Sequence, residues 1–181
     1  MTRKSRPAAP GAAADDVHSM IRVDHAGEYG AVRIYEGQLA VFGEGPAADA
    51  IRRMADQEQR HLATFDRLIV ERRVRPTALE PVWRFAGFAL GAVTALMGEK
   101  AAFACTAAVE EVIDEHYAGQ IETLAGADPE LKAVVADFRA DEIAHRDTAI
   151  ALGAEEAPAY RLLSESIKAG CRLAIALSTR I

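Results

Sequence analysis

Glu58-Gln59-Arg60-His61 and Glu142-Ile143-Ala144-His145 are two copies of one tetrad, Glu-x-x-His. Residues three apart share a helix face, so each copy presents a carboxylate and an imidazole side by side. A further glutamate lies upstream of each copy, Glu28 before the first and Glu110 before the second. Two Glu-x-x-His helices and a single glutamate from each of two others make the ligand set of a dinuclear metal site inside a four-helix bundle. The expectation is an all-α chain in which Glu28, Glu58, His61, Glu110, Glu142 and His145 converge.

The residues around the tetrads carry helical spacing throughout. Asp15 and Asp16 are N-cap candidates for a first helix, which carries Val17, Met20, Ile21, Val32, Tyr35, Leu39 and Phe42. Gly43, Gly45 and Pro46 close it and open a second, carrying Ile51, Met54, Leu62, Phe65, Leu68 and Ile69 to about Arg73. Pro76 and Pro81 bracket a connection to a very apolar third stretch, Phe85 to Met97, which Gly98-Glu99-Lys100 interrupts. A fourth helix is predicted from about Ala101 to Ala125. Gly126-Ala127-Asp128-Pro129 turns the chain into a fifth, which stops at Gly153, and Pro158 opens a sixth ending in Leu173–Leu177. No segment has the two-residue period of a strand. The order glutamate, then tetrad, occurs twice at nearly equal spacing. Two matched helical hairpins follow, with the apolar third helix carrying the chain between them.

Composition predicts fewer than one Glu-x-x-His by chance, so two are suggestive. Burial strengthens the case. Leu62, Phe65 and Ile69 continue the face of His61, while Glu142 and His145 lie near the phase of Phe138 and Ala149. Glu110 ends the run Ala101 to Val109, too apolar for a surface. A buried carboxylate is costly unless paired or bound to a cation, and no arginine or lysine shares these faces. Two divalent cations balance four carboxylates, which favours a dinuclear site over a buried polar network. Carboxylate-rich ligation with two imidazoles suits iron or manganese. In such bundles Glu58 and Glu142 would bridge, Glu28 and Glu110 would be terminal, and His61 and His145 would cap one metal each. Glu111 competes with Glu110, and helix phase prefers Glu110. Asp24 and Asp114, one turn from Glu28 and Glu110, are candidates to accept a hydrogen bond from a ligand histidine. For His25 and His116 the expectation is a satisfied packing role.

A chain of 181 residues, half of them hydrophobic but only 6% aromatic, buries one core without disulfides. The organisation expected is a disordered tail over 1–14 and a single domain over 15–181. Net charge of -6 gives no support for nucleic-acid binding. Cys105 and Cys171, both in apolar helical contexts, read as two reduced thiols. The basic start Met1 to Arg6 has no apolar core for a secretory signal and is too short for an Arg/Ser-rich presequence, so a bacterial cytoplasmic protein is expected. Phe85 to Met97 is uncharged but too short to span a bilayer, which needs about 20 residues. Trp83 and Arg84 at its start suit a membrane interface.

The segment Arg22-Val23-Asp24-His25-Ala26-Gly27-Glu28-Tyr29-Gly30-Ala31 resembles the opening signature of the demethoxyubiquinone hydroxylase family. Arg73 to Thr77 with Gly87 to Gly91, Ala104 to Glu111, and Ala157 to Tyr160 with Ala169 to Arg172 carry the same resemblance, which covers about residues 19 to 181. It implies a ferritin-like four-helix bundle with two additional helices, one strongly apolar, and two iron ions on the six positions above. It implies an O2-dependent monooxygenase of ubiquinone biosynthesis acting on a demethoxyubiquinone or its quinol with a long isoprenoid tail. Partners implied are the polyprenyl quinone, a membrane surface met through the third helix and Leu173–Leu177, and a homo-oligomer or biosynthetic complex. The location implied is the cytoplasmic face of the bacterial inner membrane, with the matrix side of the mitochondrial inner membrane as the alternative. Rival readings of the same bundle are a ferritin-like iron-binding protein and a di-metal peroxidase or catalase.

Overall fold

The structure is a computed structural model that describes the backbone of residues 10–181 and side chains from Asp16 onward. The order is α1 (Pro10–Phe42), α2 (Pro46–Glu71), α3 (Glu80–Leu96), α4 (Glu99–Leu124), α5 (Pro129–Ala151), a 3-10 turn (Ala154–Glu156) and α6 (Tyr160–Ser178). There is no strand among the described residues. Helix α1 begins before the expected cap at Asp15 and Asp16. Pro10 explains the difference, because a proline fits the first turn, where its missing N–H costs nothing. The remainder of the expected tail, residues 1–9, lies outside the described residues.

Two other boundaries differ for physical reasons. Helix α3 starts at Glu80 because Pro81, read as a breaker, occupies its first turn. The break before α4 is narrower than Gly98-Glu99-Lys100, since Gly98 alone, at φ 112°, supplies a backbone conformation that a side chain would strain. Asp128 caps α5 by accepting from the Leu131 N–H at 3.0 Å, and Arg72 reaches across from the end of α2 to its other oxygen at 2.6 Å. That pair ties together the two helices that carry the tetrads.

Helices α1, α2, α4 and α5 form the bundle. Tyr35 reaches Glu110 while Tyr117 reaches Glu28, so α1 and α4 run antiparallel. Helix α3 lies along α1 and carries the chain from one end of the bundle to the other. The approach is backbone to backbone: a methyl group on Gly91 would overlap the Ile34 carbonyl, and one on Gly37 the Phe88 carbonyl. Only Gly87, Gly91, Thr94 and Ala95 of α3 are buried, and Phe85 (79%) and Leu96 (74%) stand exposed. A purely internal role for this helix is therefore excluded. No described helix is long and apolar enough to cross a membrane.

The core comes in sections along the bundle axis. One end packs Tyr35, Ile51 and Met54 against alanines of α2 and α4, whose small side chains let the helices approach. The other packs Ile21, Phe65, Leu68, Tyr117, Leu131, Val135 and Phe138. On each bundle helix the six candidate ligands fall between residues of these two sections. A polar layer is thus sealed by apolar material above and below.

Candidate metal centre

All six candidate ligands point into that layer, and each is at most 2% exposed. Two overlapping groups result, Glu28, Glu58, His61 and Glu142, and Glu58, Glu110, Glu142 and His145. Within each group one ligand atom per residue lies within 4.8 Å of the others. Glu58 and Glu142 belong to both, as bridging residues would. His61 Nδ1 stands 3.2 Å from Glu142, 3.5 Å from Glu28 and 3.8 Å from Glu58. His145 Nδ1 stands 3.0 Å from Glu58 and 3.4 Å from Glu142.

Eight polar atoms facing this centre make no well-aligned hydrogen bond to any described residue and meet only one another. They are Glu28 Oε2, both oxygens of Glu58, Glu110 Oε2, both oxygens of Glu142, and the Nδ1 atoms of His61 and His145. Leaving one buried polar atom unpaired costs about 1–3 kcal/mol, and more for a charge. Eight that face one another, with no arginine or lysine among them, fit a pair of cations. The donor set of four carboxylates and two imidazoles matches a dinuclear carboxylate centre in a bundle core.

Burial and the crowding of carboxylates set how the groups of this layer hold protons. Burial drives the Glu28 carboxyl well above the usual range, and neighbouring Glu58 and Glu142 add to the rise. Burial does the same at Glu110, reinforced by Glu142 and Glu58. Burial also opposes the charge on His145, but Glu142 and Glu58 outweigh it and hold the imidazole at about 9. His61 is raised for the same reason, by Glu142, Glu28 and Glu58 against burial. Glu58 goes the other way: burial is outweighed by His145 and His61, and its carboxylate falls to about 2. The layer behaves as a dense negative site that collects positive charge.

The outer partners differ from those expected. Asp114 pairs with Arg139 (2.6 Å) and Arg146 (3.1 Å) and touches no ligand histidine. It sits where α4 meets α5, within reach of two arginines that a single-helix reading cannot anticipate. Asp24 accepts from Gln120 at 2.7 Å and pairs with His116 at 3.1 Å, again away from the ligand imidazoles. The atoms that do meet the imidazoles are Asp141 Oδ2, 3.1 Å from His61 Nε2, and Gln57 Oε1, 3.1 Å from His145 Nε2. Each immediately precedes a tetrad glutamate, but the contact crosses between helices, so spacing within one helix gives no signal. Tyr35 donates to Glu110 at 2.7 Å and Tyr117 donates to Glu28. Both tyrosines lie two turns beyond a terminal glutamate, a signal that helical spacing does contain. Glu111 turns away to Lys168 at 2.7 Å, which leaves the layer to Glu110. His25 is paired with Asp66 at 2.9 Å.

Beside the centre, α1, α3, α4 and α6 enclose an apolar groove of about 560 Å³. None of the described residues that line it is charged. Gly27 and Val109 form part of its wall, and each immediately precedes a terminal glutamate. The directions in which side chains of Gly27, Gly30 and Gly170 would project are open space. Trp83 on α3 donates to Ser178 on α6 at 2.9 Å, and both residues line the groove. Both cysteines are free; burial pushes the Cys105 thiol up to about 12 and the Cys171 thiol up to about 11, so neither is a ready nucleophile.

Comparison with known proteins agrees with this geometry. The family described as "Ubiquinone biosynthesis protein COQ7" matches residues 15–178. A Rhodospirillum rubrum protein named 3-demethoxyubiquinol 3-hydroxylase is 55% identical over 166 residues, 91% of this chain and 78% of that protein. The human protein named NADPH-dependent 3-demethoxyubiquinone 3-hydroxylase, mitochondrial, is 53% identical over 169 residues, 91% of this chain and 78% of its own length. The Saccharomyces cerevisiae protein named 5-demethoxyubiquinone hydroxylase, mitochondrial, is 42% identical over 179 residues, 90% of this chain and 77% of its own. A buried carboxylate and imidazole cluster, an apolar groove and this level of identity converge on one conclusion: the chain belongs to the ubiquinone biosynthesis family COQ7.

Proposed function

We propose that this chain is a di-iron monooxygenase that hydroxylates the ring of a demethoxyubiquinone, or its quinol, in ubiquinone biosynthesis. The observation that carries the reading is the set of eight ligand atoms that meet only one another in one sealed layer. Glu28 and His61 would hold one iron, Glu110 and His145 the other, with Glu58 and Glu142 shared. Iron, when bound and reduced, supplies the activation of O2, so that one oxygen atom replaces a ring hydrogen by hydroxyl and the other leaves as water, at the cost of two electrons and two protons. A nicotinamide cofactor is the reductant class, by analogy with the name of the human relative, an NADPH-dependent hydroxylase.

The protein's own contribution is binding and exclusion of water. The groove takes the ring and the first isoprene units, and its lack of charged residues suits that cargo. The tyrosine hydroxyls fix the terminal carboxylates, and the apolar sections above and below keep water from the layer. The exposed apolar side of α3, with Leu173 of α6, supports peripheral contact with a bilayer, where a polyprenyl quinone resides. A bacterial relative and a human relative named mitochondrial support a peripheral location at the cytoplasmic face of a bacterial inner membrane, with the matrix side of a mitochondrial inner membrane as the alternative. An iron-storage protein or a peroxidase would have no use for the groove, which favours the hydroxylase.

The test supplies the iron-loaded protein with reductant, a short-chain demethoxyubiquinone and isotopically labelled O2. The ring is expected to gain one labelled oxygen atom, and E142Q is expected to give none. Iron oxidation or peroxide turnover with the ring unchanged would overturn the reading.

A further inference from the structure

The two halves of the centre are related by a near two-fold repeat that extends beyond the ligands. Tyr117 reaches Glu28 as Tyr35 reaches Glu110, and each tyrosine follows its own helix's glutamate by the same interval. Gln120 donates to Asp24 as Gln38 donates to Thr106, at matching positions of α4 and α1. His61 meets the residue before Glu142 as His145 meets the residue before Glu58, both at 3.1 Å. Geometry is therefore conserved across the pseudo-axis, while charge is not. Asp141 stands where the other half has Gln57, and Asp24 stands where it has Thr106. Both extra carboxylates belong to the half that contains Glu28 and His61. Asp24 is taken up by hydrogen bonds with His116 and Gln120 and meets neither ligand imidazole. Asp141 faces the His61 imidazole directly, with a side chain only 33% exposed.

From this broken symmetry we infer that the two metal positions are unequal, and that Asp141 makes the position held by Glu28 and His61 the tighter one. The inference rests on the di-metal reading above. A carboxylate accepting the outer N–H of an imidazole makes the inner nitrogen a stronger donor, whereas the neutral amide of Gln57 polarises His145 less. Asp141 acts through His61 and so is a positioning and charge-setting residue. The partner of His145 keeps the same distance, so orientation alone would leave the two positions alike.

Anaerobic titration of the metal-free protein with Co(II), followed by visible absorption, separates the alternatives. The wild type should fill in two steps whose affinities differ by about 10-fold. D141N keeps an oxygen acceptor but drops the charge, so it should weaken the first step by about 10-fold and leave the second unchanged. Q57E should tighten the second step and leave the first unchanged, which assigns the steps to the halves. Two equal steps in the wild type, or a D141N titration identical to it, would overturn the inference while leaving the di-metal reading intact. If no Co(II) binds at all, the di-metal reading itself fails. Should D141N not fold, Q57E alone decides, because an unchanged second step contradicts the inference.

Discussion

At the scale of single residues, the centre demands opposite things of neighbouring side chains. Glu58 and Glu142 are fully buried yet need counter-charge, while Phe65, one turn beyond His61, needs only contact. F65A removes a fully buried ring and is expected to cost about 3–5 kcal/mol in chemical denaturation, with metal content per folded chain retained. H145A is expected to do the reverse. Its stability loss is modest in the metal-free protein, but retained iron after desalting should fall sharply. The same contrast explains what was legible beforehand. Glu28, Glu58, His61, Glu110, Glu142 and His145 are found from spacing because a helix repeats its face. Asp141 and Gln57 are invisible to that argument because they serve a histidine on another helix, and Asp114 and Asp24 do not take the role expected of them because Arg139 and Arg146 claim the first and Gln120 and His116 the second.

At the scale of elements, α3 is the helix whose role the sequence left open between core and interface. Its composition is apolar all round, and only the structure separates the two sides. Glycines at 87 and 91 let it lie directly on the α1 backbone, while Phe85, Phe88, Val93 and Leu96 face outward. G91A should force the helices apart and cost about 1–3 kcal/mol, since the methyl meets the Ile34 carbonyl. G27A meets no described atom within 4 Å and should raise stability by up to about 1 kcal/mol through helix propensity, while narrowing the groove and raising KM for a long-tailed quinone. Co-flotation with anionic and neutral liposomes checks the outer face. Wild-type protein should float, and F85E combined with L96E should remain in the dense fraction with its helical content intact. Flotation of the double variant equal to wild type would remove α3 from the membrane contact. Element boundaries were legible to within a turn at most ends, the exceptions being Pro10 and Pro81, where prolines that open helices resemble prolines that break them.

At the scale of the whole molecule, stability is linked to pH through the layer. In the metal-free protein His145 has a folded value of about 9 against an ordinary 6.5. Its contribution to stability is fully present below pH 6.5 and is lost as pH rises through about 9. Glu28 and Glu110, raised by burial, work in the same direction, because the unfolded chain releases their protons first. Glu58, lowered to about 2, adds stability that is lost only on strong acidification. The metal-free Tm is therefore expected to fall between pH 6.5 and about 9, and the loaded protein should show a smaller fall because cations have replaced the protons. Equal slopes for the two forms would contradict that exchange.

The central claim is that six side chains from four helices hold two metal ions side by side. Iron K-edge X-ray absorption of the protein loaded anaerobically with two equivalents of Fe(II) tests it most directly. The account predicts a first shell of oxygen and nitrogen only and an iron neighbour within about 4 Å. Iron bound without an iron neighbour, or iron that washes away on desalting, would contradict it.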